Sequence, residues 1–135
     1  MASYYLVTGT SLGTAITWPS GFTYASNSPR LIVDTDKWLA IGELSGNVAM
    51  YYYTAPTTYT KVFDESISTS DLAATWFVAD GNAATTRRRF FLRAGTTFYD
   101  CLLDVDTPIV TYSEISGLSD LSNLDYFRMA RWREL

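Results

Sequence analysis

Up to about residue 112 the chain sets out short apolar or aromatic runs broken by turn-forming residues. Runs of this kind, bounded by Gly, Pro, Asn, Asp and Ser, are strand signals. Residues 4–8 read as a strand stopped by Gly9 and a Thr-Ser-Leu-Gly stretch, and residues 15–18 as a second, ended by Pro19-Ser20-Gly21, with residues 22–24 as its continuation. Ser26-Asn27-Ser28-Pro29 is a loop. Residues 31–33 and 37–44 follow, divided by Asp34-Thr35-Asp36. Residues 59–63, 75–79 and 109–112 complete the strand set, with a turn at Asp80-Gly81-Asn82. Residues 66–74 fit either a loop or a single helical turn capped at Ser70.

The strongest hairpin signal is Leu44-Ser45-Gly46-Asn47-Val48. Gly46-Asn47 as a two-residue loop suits a type II′ turn, with glycine taking the positive φ at the first position. Pairing outward sets Leu44 against Ala49, Gly42 against Tyr51 and Ile41 against Tyr52. A tyrosine ring over Gly42 would fill the gap left by the missing side chain. One face of this hairpin carries Leu39, Ile41, Met50 and Tyr52, and the other Trp38, Ala40, Leu44, Tyr51 and Tyr53. Strands apolar on both faces are covered on both. The expected cover is a second sheet plus a helix, or another subunit.

A second hairpin spans about residues 86–105, with Ala94-Gly95 near its tip. A two-residue loop sets Arg89 opposite Asp100, and a three-residue loop with a bulged Gly95 sets Arg88 there. Either register makes a cross-strand Arg–Asp pair contributing about 0.2–1 kcal/mol, and puts aromatics from Phe90, Phe91, Phe98 and Tyr99 on each face.

After Gly117 the period changes: Leu118, Leu121, Leu124 and Phe127 recur at spacing three, Ser122 with Asp125 fits a capping box, and Arg128, Arg131 and Arg133 fall late. This predicts a helix over about residues 119–134. Tyr126, Met129 and Trp132 form a second apolar stripe, so such a helix has two partners. The fold class expected is therefore mainly β: an antiparallel β-sandwich or barrel over about residues 1–115, and a short C-terminal helix over about 118–135, in one domain.

At 135 residues the chain is long enough to bury a core without disulfide or metal. Charged residues are 18 %, below the usual quarter, which leaves little protection against self-association. The net charge of −4, with lysine only at Lys37 and Lys61, argues against general nucleic-acid binding. Histidine is absent, which removes the commonest general base and metal ligand, and the single cysteine excludes an intramolecular disulfide. The first residues lack the basic region and apolar core of a signal peptide, and no apolar run suffices to span a bilayer. The expectation is a chain made, and soluble, in a reducing cytoplasm.

Candidate chemistry changes this picture little. Cys101 alternates with Tyr99 and Leu103 and reads as a buried structural thiol, since no histidine is present to form its thiolate. Asp34 with Asp36 and Asp104 with Asp106 have spacings that can point two carboxylates at calcium, but the loop pattern with a glycine and a distal glutamate is absent. Turn-forming aspartates are the better reading. No acidic pair is singled out for glycoside hydrolysis. Arg87, Arg88, Arg89 and Arg93 lie beside Phe90 and Phe91, a combination that can bind single-stranded nucleic acid. On a strand, however, consecutive residues alternate faces, and the neighbouring aspartates favour ion pairing within the sheet or across an interface. Trp18, Trp38, Trp76, Trp132 and the Tyr51-Tyr52-Tyr53 run could build a sugar platform, although such rings serve cores and interfaces more often.

The most suggestive stretch is 126–135, which mixes Phe, Met, Trp and Arg, the residues of interface hot spots. Tyr126, Phe127, Arg128, Met129, Arg131, Trp132 and Leu135, with Phe91 and Phe98, are the candidate interface residues. Thr/Ser/Tyr-rich strands, few lysines and no catalytic set together resemble small virion proteins of tailed phages, such as capsid decoration, cement or fibre-base subunits. The resemblance lies in composition and assigns no residue roles. It implies a non-enzymatic assembly protein located in the virion, partnered by protein and not by nucleic acid or membrane, with no cofactor. The alternative is a carbohydrate-binding β-sandwich module that uses surface Trp and Tyr.

Overall fold

The computed structural model describes residues 5–8, 11–25, 31–34, 36–76 and 86–115. Eleven strands lie among them. Strands β1 (Tyr5–Thr8) and β2 (Ser11–Ala15) pair only with each other. The first large sheet is a meander of β5 (Lys37–Leu44), β6 (Asn47–Ala55) and β7 (Thr58–Glu65). Its far edge is shared by β3 (Phe22–Tyr24) and β4 (Leu31–Asp34), which pair with opposite ends of β5. The second sheet has the order β11-β10-β9-β8, from β8 (Ala73–Trp76), β9 (Arg87–Ala94), β10 (Thr97–Asp104) and β11 (Ile109–Glu114). All pairings are antiparallel.

One core joins the two large sheets. Leu39, Ile41, Val48, Met50, Tyr52 and Phe63 of the first pack with Phe90, Leu92, Tyr99, Cys101, Leu103 and Val110 of the second. These residues alternate along their strands, so the inward faces follow directly from the period of two. At one side β7 meets β11 through the Phe63 and Tyr112 rings, centroids 5.1 Å apart. At the other, Trp76 Nε1 of β8 donates to the Ile32 carbonyl of β4 at 3.0 Å.

Both hairpin turns sit one residue from where their sequence signals place them. The β5–β6 loop is Ser45-Gly46, not Gly46-Asn47, and both residues have positive φ (51° and 84°), as a type I′ turn requires. Asn47 is thereby freed to pair with Leu44 and to use its side chain on β7. Gly42 then faces Ala49, and Tyr51 faces Ala40. The ring that covers Gly42 is Phe22 of β3, whose neighbour Thr23 brings its carbonyl oxygen onto the same spot. The β9–β10 loop is Gly95-Thr96, so Asp100 lies opposite Phe91 and Arg89 opposite Leu102. The expected Arg89–Asp100 pair survives as a diagonal contact at 3.2 Å.

Two expectations need further correction. Residues 11–15 form β2, and 16–19 are not strand: the chain leaves the ribbon there to cross the first sheet. Residues 70–71 form a tight turn with Asp71 in the left-handed region, not a helical turn, and β8 begins at Ala73. The helix expected over 119–134 lies outside the described residues, as do 77–79 and the turn at 80–82.

Candidate functional site

The outward face of the first sheet is aromatic. Trp38, Ala40, Ala49, Tyr51 and Tyr53 form a second apolar cluster with Ile16 and Phe22, and Trp18, Tyr24 and Leu44 pack against it. The Trp38 and Tyr53 rings stack at 5.0 Å and 9°. Trp18 lies edge-on to Tyr53 at 6.0 Å. Tyr59 completes the row against Tyr51 and Tyr53. What covers this face is the chain itself. Residues 16–22 cross it as a strap, with Tyr53 Oη donating to the Thr17 carbonyl at 2.6 Å and the Thr17 amide donating to the Pro56 carbonyl at 2.9 Å. Burial pushes the Tyr53 hydroxyl far above its ordinary value, so it remains a donor. The double-sided apolar pattern of β5 and β6 thus needs no other subunit: the second sheet covers one side and the strap the other. The same packing takes these rings away from a sugar platform, because Trp38, Tyr51 and Tyr53 are buried and Trp18 and Tyr24 half-buried.

On the second sheet the arginines divide by face. Arg88 points inward and is 2 % exposed. Arg87, Arg89 and Arg93 point outward, each near a carboxylate: Asp104 at 3.8 Å, Asp100 at 3.2 Å and Asp71 at 3.7 Å. Phe91 and Phe98, the two candidate interface residues within the described chain, sit on this same outward face as diagonal neighbours. Phe91 is half-buried and Phe98 only 3 % exposed. Tyr126, Phe127, Arg128, Met129, Arg131, Trp132 and Leu135 lie outside the described residues.

The acidic pairs behave as turn formers. Asp104 accepts from the amides of Asp106 and Thr107 at 2.9 and 3.2 Å, and Asp36 faces Lys37 at 3.5 Å. No group of three or more His, Cys, Asp or Glu among the described residues could hold a metal ion. Burial pushes the Cys101 thiol far up, which keeps it protonated inside the core. A shallow open depression of about 240 Å³ lies between Thr23, Tyr24 and Glu43 on one side and Thr69, Asp71 and Leu72 on the other.

One cluster has the parts for amide chemistry. Asp64 accepts from Lys61 Nζ at 2.8 Å and from Asn47 Nδ2 at 2.9 Å. Amine attack on the Asn47 amide needs a neutral lysine and a protonated carboxyl. The geometry does the reverse: the Asp64 hydrogen bond raises the Lys61 pKa, and the Lys61 and Asn47 hydrogen bonds lower that of Asp64. The three side chains act as a clamp between β6 and β7.

The strand edges carry the exposed apolar residues that sequence reasoning did not single out. Ile109 is 51 % and Tyr112 38 % exposed on β11, and Ile32 and Tyr59 stand out on β4 and β7. The available signal was that residues 109–112 close the strand series and so fall at an edge. No helix among the described residues is long and apolar enough to cross a membrane.

Comparison with known proteins adds no family. No family model, curated protein or solved structure matches the chain.

Proposed function

We propose that the protein is a non-enzymatic structural subunit, a two-layer β-sandwich that self-associates within a larger assembly such as the virion of a tailed phage. The observation that carries the reading is the contrast among the sheet edges. Natural proteins blunt an edge with short strands, lysines or bulges, because an open edge invites pairing with another chain. Strands β3, β4 and β8 are short, and β7 carries Lys61 and two irregularities in its register with β6. Strand β11 has none of these: it pairs with β10 without a break, holds no lysine or arginine, and exposes Ile109, Thr111, Tyr112, Ser113 and Glu114. Pairing at such an edge supplies main-chain hydrogen bonds, with specificity from alternate side chains. The sandwich reading rests on the two sheets meeting at their sides through side chains, with no ladder between them among the described residues.

Light scattering after size-exclusion chromatography tests the proposal on the full chain and on Ile109→Lys. A defined oligomer that becomes smaller in the variant is the expected result. A monomer into the high micromolar range removes the self-assembly reading, and an oligomer indifferent to the substitution removes β11 as its edge.

A further inference from the structure

Strand β11 offers its open edge in a defined phase. The Ile115 amide donates to the Phe98 carbonyl at 2.8 Å, which makes Phe98 and Ile115 a hydrogen-bonded pair of the β10–β11 ladder. Such pairs alternate along an antiparallel ladder, so Ile109, Thr111 and Ser113 direct their backbone groups to β10. Val110, Tyr112 and Glu114 aim theirs outward, away from the sheet. Side chains alternate as well. Val110 belongs to the core and Tyr112 lies edge-on to Phe63 and Tyr99, which puts Ile109, Thr111 and Ser113 on the opposite face.

Resting on the reading of β11 as the assembling edge, we propose that its partner is β11 of a second copy, paired antiparallel about a two-fold axis through Tyr112. This register sets Val110 against the copy's Glu114 and Tyr112 against the copy's Tyr112, so every outward backbone group of the strand meets its complement. Moving the axis to Thr111 or Val110 sets Pro108, which has no amide hydrogen, opposite Glu114 or Tyr112. Moving it the other way draws the two Glu114 carboxylates together, and like charges side by side on a ladder destabilise it. With the axis at Tyr112 those carboxylates stay apart, Thr111 lies opposite the copy's Ser113, and the two Tyr112 rings stand side by side. The Tyr99–Tyr112 contact, centroids 5.6 Å apart, then runs on into the copy as one aromatic row on the inner face of a continuous sheet. Because the same patch is used on both chains the contact closes on itself, and the unit is a dimer rather than an open filament.

Cysteine cross-linking in the full-length protein reads the register. Across the axis, Thr111 and the copy's Ser113 form a non-hydrogen-bonded pair with Cα atoms about 4.5 Å apart, within the span of a disulfide. Identical positions lie on the diagonal, about 7–8 Å apart, beyond that span. Thr111→Cys and Ser113→Cys are produced singly and, with different affinity tags, together in one cell, then oxidised with diamide. The parent chain is the control, its Cys101 being buried and protonated. The expected result is a covalent dimer only from the co-produced pair, with position 111 joined to position 113 in the mass spectrum. A covalent dimer from Thr111→Cys alone overturns the proposal, since it puts the axis at Thr111. A co-produced pair that forms no covalent dimer, yet is an oligomer in light scattering, also overturns it and leaves self-association standing. A monomer in light scattering removes both.

Discussion

Asp64 joins three positions on two strands, and its carboxylate does so only while ionised. The hydrogen bonds from Lys61 and Asn47 hold its folded-state pKa below the ordinary aspartate value, so the clamp contributes stability at neutral pH and loses it as pH falls through the folded value. Lys61, raised above 10.5, stays charged throughout that range. Asp64→Asn is therefore expected to lower the Tm modestly at pH 7, with the gap to the parent shrinking as pH falls through the depressed folded-state pKa. Thermal melts from neutral into acid pH check this, and a gap independent of pH would refute it. The exposure of the pair keeps the effect small and salt-sensitive. At this scale much was legible. Cys101 as an inert core thiol and the separation of Arg88 from its neighbours both follow from strand alternation. The role of Asn47 was not legible, because it depends on which residue the turn consumes.

The hairpins show why elements were easier to place than their registers. A Ser-Gly-Asn sequence offers two adjacent two-residue loops, and tertiary packing chooses between them. Moving the loop by one residue shifts each cross-strand partner by two, so both hairpins kept their faces while changing their opposite numbers. That is why Leu39 and Met50 could be assigned to one side and Trp38 and Tyr53 to the other before the turn was known. Gly42 is the element-scale constraint that this parity could not reveal. A Cβ there would meet the Thr23 carbonyl and the Phe22 ring at 2.8 Å, and backbone cannot swing aside as a side chain can. Gly42→Ala is expected to displace β3 and cost at least about 2 kcal/mol, within the range for overpacking a close contact. Denaturant titration measures the cost, and loss of amide protection confined to residues 22–24 would locate it.

Across the whole molecule, the sheets share one core and the strap rests on the back of one of them. Phe90 is fully buried between the sheets with the Trp76 ring edge-on at 5.7 Å. Phe90→Ala is expected to cost about 3–5 kcal/mol. Because Trp18 and Trp38 lie on the outward face, tryptophan fluorescence and far-ultraviolet circular dichroism should shift together in this variant. Separate midpoints would mean that unfolding is not two-state. The two-layer arrangement was foreshadowed by strands apolar on both sides, but the identity of the second cover was not. Residues 16–18 look like a strand by composition, and only the distant pairing of Thr17 with Tyr53 and Pro56 shows that they serve as a lid.

That lid has a consequence for how the protein is made. Residues 16–22 are synthesised before Trp38 and Tyr53, the surface on which they come to rest. The strap must therefore stay apolar and unhoused until the β5–β6–β7 meander, whose contacts are local and quick to form, has folded behind it. Docking of the strap therefore waits on the sheet that receives it, with the Tyr53–Thr17 hydrogen bond as the latch that closes it.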